Sequence, residues 1–284
     1  MKKFGFAFLL GLLFFTFTNS QTKVTVITDS IYSQSLKSYS KFNVVLPPNY
    51  YTSDDRFVTI YLLHGYGGNY NDWVKRTNLT YYAKNYNFII VTLDGQNSWY
   101  VNSVEKKNSN YEDYIIKDLI PHIGNAYRVI DTKHGRVIAG LSMGGYGAIR
   151  LGIKYANTFF YAAAFSGAFN IVDRIREVQD ANNTLVSESR KIFGTTENDL
   201  WKDADIYMLL EKANLNSLPY LYISCGKDDN QPLLESNRTL TKTLQEKKIL
   251  YEYHELPGAH NWVYWEKGIR DLLFKLSTFD NLKP

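Results

Sequence analysis

Gly140-Leu141-Ser142-Met143-Gly144 is a G-x-S-x-G sequence, and its flanks decide how the chain folds. Upstream, Gly135-Arg136-Val137-Ile138-Ala139 reads as a short buried strand. Downstream, Tyr146 to Tyr155 reads as a helix with Ala148, Ile149, Leu151 and Ile153 at apolar positions. A strand, a serine and a helix in immediate succession describe a sharp turn. Such a turn holds the serine in a strained backbone conformation and points Oγ out of the sheet edge. Only small residues fit two positions before and after that serine, which accounts for Gly140 and Gly144. Gly145 would let the helix lie close to the strand. Gly and Ser are common, so the motif takes its weight from the rest of the chain.

Outward from the motif, strand and helix signals alternate along the whole chain. Lys23–Ile27, Lys41–Leu46, Phe57–Leu63, Phe88–Leu93, Phe160–Phe165, Pro219–Cys225 and Ile249–Leu256 read as strands, several of them unbroken apolar runs. Helices are expected over Thr80–Tyr86, Tyr111–Gly124, Pro232–Glu246 and Trp262–Leu276. Pro121 would distort the last turn of the second of these. Continuous apolar strands separated by helices imply an α/β fold with a mainly parallel central sheet covered on both faces. Ligands of such sheets bind at the carboxyl ends of the strands. Residues 167–218 are less regular and read as an insertion covering or flanking that rim. Residues 21–284 otherwise carry no linker or repeat and read as one domain.

The chain has 284 residues, 45% apolar and 21% charged, an ordinary globular balance. Its start is different. Lys2-Lys3 precede an apolar run from Phe4 to Phe17, and Thr18-Asn19-Ser20 offer small residues before Gln21. Residues 1–20 therefore read as a secretory signal peptide, too short for a comfortable membrane span, with an uncleaved anchor as the alternative. The expected location is periplasmic or extracellular, with no later stretch apolar enough to cross a bilayer. The formal charge of +4 falls by two without Lys2 and Lys3, and the basic residues are scattered. That excludes the basic patch of a nucleic-acid binder. A single cysteine, Cys225, excludes an internal disulfide. No His or Cys pairs stand at metal-ligand spacing, so no metal or other cofactor is expected.

A serine hydroxyl needs a base to take its proton, and the base needs an orienting acid. Of five histidines, His260 lies in Pro257-Gly258-Ala259-His260-Asn261-Trp262, the loop after the last strand. The others fall within a strand (His254), before one (His134), at a helix end (His122) or in the glycine-rich loop (His64), where structural roles are expected. Cys225-Gly226-Lys227-Asp228-Asp229 follows the penultimate strand. The G-x-x-D spacing favours Asp229 as the acid, with Asp228 as a turn-capping residue. Acyl transfer also needs oxyanion donors. Leu63-His64-Gly65-Tyr66-Gly67-Gly68 follows a buried strand, and the backbone N–H groups of Tyr66 and Met143 are the candidates. The segment Asp94-Gly95-Gln96-Asn97-Ser98-Trp99-Tyr100-Val101-Asn102-Ser103 sits on the same rim. It reads either as a loop that stacks against a sugar or aromatic group or as a buttress for the serine turn.

LLHGYGGNYNDW, DGQNSWYVNS, GLSMGGYGAIR, FSGAF, CGKDD and PGAHNWVYW occur in this order. Over most of residues 40–280 the chain resembles the esterase D-like α/β-hydrolases. That group includes feruloyl and acetyl-xylan esterases of carbohydrate esterase family one, S-formylglutathione hydrolases, siderophore esterases and mycolyltransferases. The resemblance implies the α/β-hydrolase fold, with Ser142 as nucleophile, Asp229 as acid, His260 as base, and Tyr66 and Met143 as oxyanion donors. Combined with the expected signal peptide, it implies an exported serine esterase acting on feruloyl or acetyl esters of plant-wall carbohydrates. Trp99, Tyr100 and Trp262 are then the expected substrate contacts. A siderophore or other small-ester hydrolase, an acyltransferase to sugar hydroxyls and a non-catalytic carbohydrate-binding protein are the alternatives.

Overall fold

A computed structural model of the protein describes residues 24–180 and 182–279. The expected signal peptide, residues 1–20, lies outside them. Eight strands form one sheet: β1 (Thr25–Ser33), β2 (Ser38–Leu46), β3 (Val58–Leu63), β4 (Phe88–Leu93), β5 (Arg136–Leu141), β6 (Tyr161–Phe165), β7 (Tyr220–Gly226) and β8 (Tyr251–Leu256). Their spatial order is β1-β2-β4-β3-β5-β6-β7-β8. The β1–β2 and β2–β4 pairs are antiparallel, and all the others are parallel. This is an α/β fold with a mostly parallel sheet.

The sheet is covered on both faces because its central strands are apolar on both sides of the pleat. Tyr61, Leu63, Ile89, Val91 and Ile138 point into one core, with the helices Met143–Lys154 and Gln231–Glu246. Ile60, Leu62, Ile90, Val137 and Ala139 point into the other, under Trp73, Leu79 and the helix Trp262–Thr278. The period-2 alternation of a strand assigns neighbouring residues to opposite layers.

Two elements differ from their sequence reading. β1 runs to Ser33, six residues past the expected end, and pairs with β2 from Thr25↔Leu46 to Ser33↔Ser38. Its middle, Thr28-Asp29-Ser30, is exposed and polar, so hydrophobic patterning does not reveal it. Pro121 acts earlier than expected. The π-helical stretch Tyr114–Leu119 lies ahead of it, and the Ile120 N–H donates to the Ile115 carbonyl, five residues back. A proline cannot donate to the carbonyl four residues before it, and a wider turn accommodates the mismatch.

Residues 167–218 hold the short helices Ile171–Glu177, Thr184–Phe193, Asp199–Ala204 and Ile206–Lys212. The last three are capped by the side chains of Asn183, Asn198 and Asp205. The segment is fastened to the helix Met143–Lys154. The Tyr146 hydroxyl donates to the Ala204 carbonyl (2.7 Å), and Arg150 Nε donates to the Asp203 carbonyl (3.1 Å). Arg150, fully buried, also pairs with Glu112 (2.6 Å) and with the Asp203 carboxylate. Lys154 joins the same two acids at 2.7 and 2.6 Å. Burial would raise the Glu112 carboxyl, but Arg150, Lys154 and the Tyr155 hydroxyl outweigh it and hold it below its ordinary value. Removing one partner of such a pair leaves a desolvated charge. Glu112→Ala is therefore expected to lower the unfolding free energy by about 3–5 kcal/mol. Urea denaturation at pH 7 measures it; a loss under about 1 kcal/mol would mean that water reaches Arg150.

Candidate active site

Leu141 ends β5, Met143 begins the following helix, and Ser142 stands between them at φ 52°, ψ −117°. Positive φ in an L-residue other than Asn or Asp costs of order 1–3 kcal/mol and persists only where the surroundings impose it. Here the Ser142 N–H donates to the Phe165 carbonyl (2.9 Å), and the Ser142 carbonyl accepts from Tyr146 (3.0 Å) and Ala168 (3.2 Å). The flanking glycines make the approach possible. A Cβ on Gly144 would stand 2.6 Å from the carbonyl oxygens of Leu63 and His64, and one on Gly140 would press into the Gly144 backbone.

His260 reaches Ser142 from the loop between β8 and the last helix. Its Nε2 lies 3.0 Å from Ser142 Oγ and its Nδ1 lies 3.0 Å from Asp229 Oδ2. An ionised carboxylate only accepts, so Nδ1–H donates to Asp229 and Nε2 is left to accept the serine proton. The His260 ring meets the Trp265 ring edge-on, with centroids 4.9 Å apart. Asp229 is buried, and its Oδ1 accepts from the Asn230 N–H at 2.7 Å. Burial would raise its carboxyl; the bonds from His260 and Asn230 outweigh that and hold it below the ordinary carboxylate value. Asp228 is exposed and belongs to the turn, donating from its N–H to Gly258 (2.9 Å) and accepting from the Gly258 N–H (3.3 Å).

The glycine-rich loop after β3 is braced from below. The Trp73 indole N–H donates to the Leu63 carbonyl (2.9 Å). His64 is buried; its Nε2 accepts from the Gly95 N–H (2.8 Å), which leaves Nδ1–H to donate to the Gly65 carbonyl (2.7 Å). The Tyr66 and Met143 N–H groups have no acceptor among the described residues.

A cleft of about 370 Å³ opens over Ser142 and His260. Trp262 lines it, half-buried, with Arg76 over its ring at 5.6 Å. Trp99 also lines it but is 2% exposed, and its indole N–H is committed to Ser189 Oγ (2.9 Å). Tyr100 corrects the sequence reading: it is fully buried and does not line the cleft. Its ring fills the space left by the missing side chains of Gly95 and Gly147, and its hydroxyl donates to the His64 carbonyl (2.8 Å). Within the 94–103 loop, Ser98 to Val101 thus serve as a buttress, while Gln96 and Asn97 are exposed. Sequence reasoning missed Arg76, Ile171, Arg174 and Leu185, which also line the cleft. They come from helices laid over the rim, and no local pattern marks them.

Residues 33–276 match the Esterase family. The chain belongs to that family. It is a carboxylic ester hydrolase of the serine-hydrolase type. This esterase is 31% identical over 260 residues to the acetyl esterase of Caldicellulosiruptor saccharolyticus, an alignment covering 87% of the chain and 96% of the relative. Its fold is shared with the fluorophosphonate-binding serine hydrolase FphF of Staphylococcus aureus (TM-score 0.79, 23% identity, 89% and 98% of the two chains). It is also shared with a ferulic acid esterase of Anaeromyces mucronatus (TM-score 0.61, 18% identity, 92% and 93%). Among the described residues no helix is long and apolar enough to cross a membrane.

A carboxyl whose folded pKa is depressed contributes stability above its unfolded pKa and loses it as pH falls through the folded value. Wild type should therefore be more stable than Asp229→Asn at pH 6–7. The difference should shrink below about pH 4, near the unfolded aspartate value. Urea midpoints across this range test it. A difference independent of pH would mean that the carboxyl is not held low.

Proposed function

We propose that this esterase is exported and cleaves acetyl esters of plant-wall carbohydrates, with Ser142, His260 and Asp229 as its catalytic triad. The observation that carries the triad is the unbroken chain of two 3.0 Å contacts from Ser142 Oγ through His260 to Asp229. In the reaction, Ser142 Oγ attacks the ester carbonyl carbon while its proton passes to His260 Nε2. Asp229, accepting at Nδ1, stabilises the imidazolium that forms. The Tyr66 and Met143 N–H groups receive the oxyanion, each worth about 3–4 kcal/mol in a dry site. The intermediate collapses, the C–O bond to the alcohol breaks, and the alcohol oxygen leaves with the proton from Nε2. Water then gives its proton to Nε2 and attacks the acyl-serine; the second collapse releases the acid and returns the proton to Ser142.

The acetyl preference is supported by the relative named as an acetyl esterase. A feruloyl group is the second reading, supported by the aromatic side chains of Trp262 and Trp265 along the cleft. Export rests on the apolar segment after Lys2-Lys3. Ser142→Ala is expected to lower kcat on p-nitrophenyl acetate by about 10⁴–10⁶, and an alanine variant with near-normal turnover would overturn the triad. The acyl group is decided by kcat/KM on methyl ferulate relative to p-nitrophenyl acetate. A ratio well below one is expected, and a ratio well above one would replace acetyl by feruloyl.

A further inference from the structure

Beside the catalytic cleft lies a second groove, of about 430 Å³, which shares Tyr66, Gly67 and Gly68 with it. That volume is within the range of about 300–1,000 Å³ typical of ligand sites. Both spaces are mixed in character. The cleft sets the rings of Trp262 and Trp265 beside Arg76, Arg174 and His260, and the groove presents Gln96, Asn97, Lys106, Glu188 and Lys191. Asn97 Oδ1 accepts from the Gly67 N–H (2.7 Å), which holds its amide at the edge of the groove. Lys106 Nζ pairs with no carboxylate among the described residues, while Glu188 and Lys191 face each other at 2.5 Å. Ser109 lines the groove too, with a buried hydroxyl that no described residue bonds.

Tyr66 forms the wall between the two spaces. Burial raises its phenol above the ordinary value and the Glu188 carboxylate adds to the rise, against Lys191 and a hydrogen bond from Asn97. The walls are fixed in advance. Val104 N–H and Ser103 Oγ both donate to the Ile192 carbonyl (3.2 and 2.9 Å), and Trp99 donates to Ser189. These bonds tie the 94–109 loop to the helix Thr184–Phe193, so little ordering is left for a ligand to impose. An aromatic ring beside amide, ammonium and carboxylate groups suits a molecule with apolar C–H faces and a rim of hydroxyls.

We infer that this groove is a subsite for further sugar units of an oligosaccharide whose ester is held over Ser142. The inference rests on the carbohydrate reading of the substrate. Its first consequence is that turnover rises with the length of the sugar chain, although the reacting bond is unchanged. Its second is that the gain belongs to exposed groove residues remote from the reacting atoms.

The test compares kcat/KM on mono-acetylated xylotetraose and mono-acetylated xylose for wild type, Gln96→Ala/Lys106→Ala and Lys191→Trp. Wild type is expected to favour the tetraose. Each variant is expected to lower the tetraose-to-monomer ratio about fivefold, the equivalent of one or two net hydrogen bonds, through KM on the tetraose. Equal wild-type values on both substrates, or a preference that survives in both variants, would overturn the subsite and leave the carbohydrate reading standing. Hydrolysis of p-nitrophenyl acetate with neither sugar ester cleaved would overturn the carbohydrate reading itself. As a readout independent of turnover, Ser142→Ala should bind unmodified xylotetraose in a calorimetric titration, and the added Lys191→Trp should weaken that binding. Equal binding with and without the tryptophan counts against the groove.

Discussion

Ser142 can hold its positive φ only because the backbones of β3, β5 and the following helix come into near contact around it. The approach is permitted by absent side chains at Gly140 and Gly144, and it is closed by hydrogen bonds to Phe165, Tyr146 and Ala168. The remainder of the site is arranged relative to that point. β6 supplies the acceptor for the serine N–H. β7 and β8 end level with it, so that the Asp229 and His260 loops meet at hydrogen-bond distance. A parallel sheet brings the carboxyl ends of its strands to one rim, and residues distant in sequence thereby share one constellation.

A second layer of constraint lies beneath the serine helix. Arg150 and Lys154 point away from the cleft into an acidic pair, Glu112 and Asp203, contributed by two different segments. Such a cluster gives limited net stability, since desolvation offsets much of the attraction. Its geometric effect is larger: it fixes where the 167–218 helices sit relative to the helix Met143–Lys154. Tyr100 braces the helix Met143–Lys154 from the other side, its ring occupying the volume opposite Gly95 and Gly147.

What could be read from the sequence divides along physical lines. Buried parallel strands announce themselves because both faces must be apolar; Phe88–Leu93 was delimited to the residue. The residues proposed as the triad were legible because each sits just after such a strand in a short, glycine-bearing loop. β1 extends beyond its sequence reading because an edge hairpin tolerates polar residues on its exposed side. Tyr100 departs from its sequence reading because an aromatic residue in a polar loop has the same local pattern whether it faces a ligand or a glycine-lined gap. Arg76, Arg174 and Leu185 carry no local signal, since their place at the cleft depends on how helices pack over the rim. The choice between Asp228 and Asp229, weighed on spacing alone, turns in the structure on which carboxylate is buried against His260.

The helix Thr184–Phe193 has its own N-cap in Asn183 and is tied to the 94–109 loop through the Ile192 carbonyl and the Ser189 hydroxyl. Leu185 faces the catalytic cleft, while Glu188 and Lys191 face the neighbouring groove. The fastening to the helix Met143–Lys154 is made elsewhere, at Asp203 and Ala204. Mutational drift in this one helix can thus reshape the lining of both the cleft and the groove while the strained serine and its partners stay as they are. The helix that shapes both linings and the strands that strain the serine are separate parts of the chain, so one scaffold can vary its cleft walls without disturbing the turn beneath them.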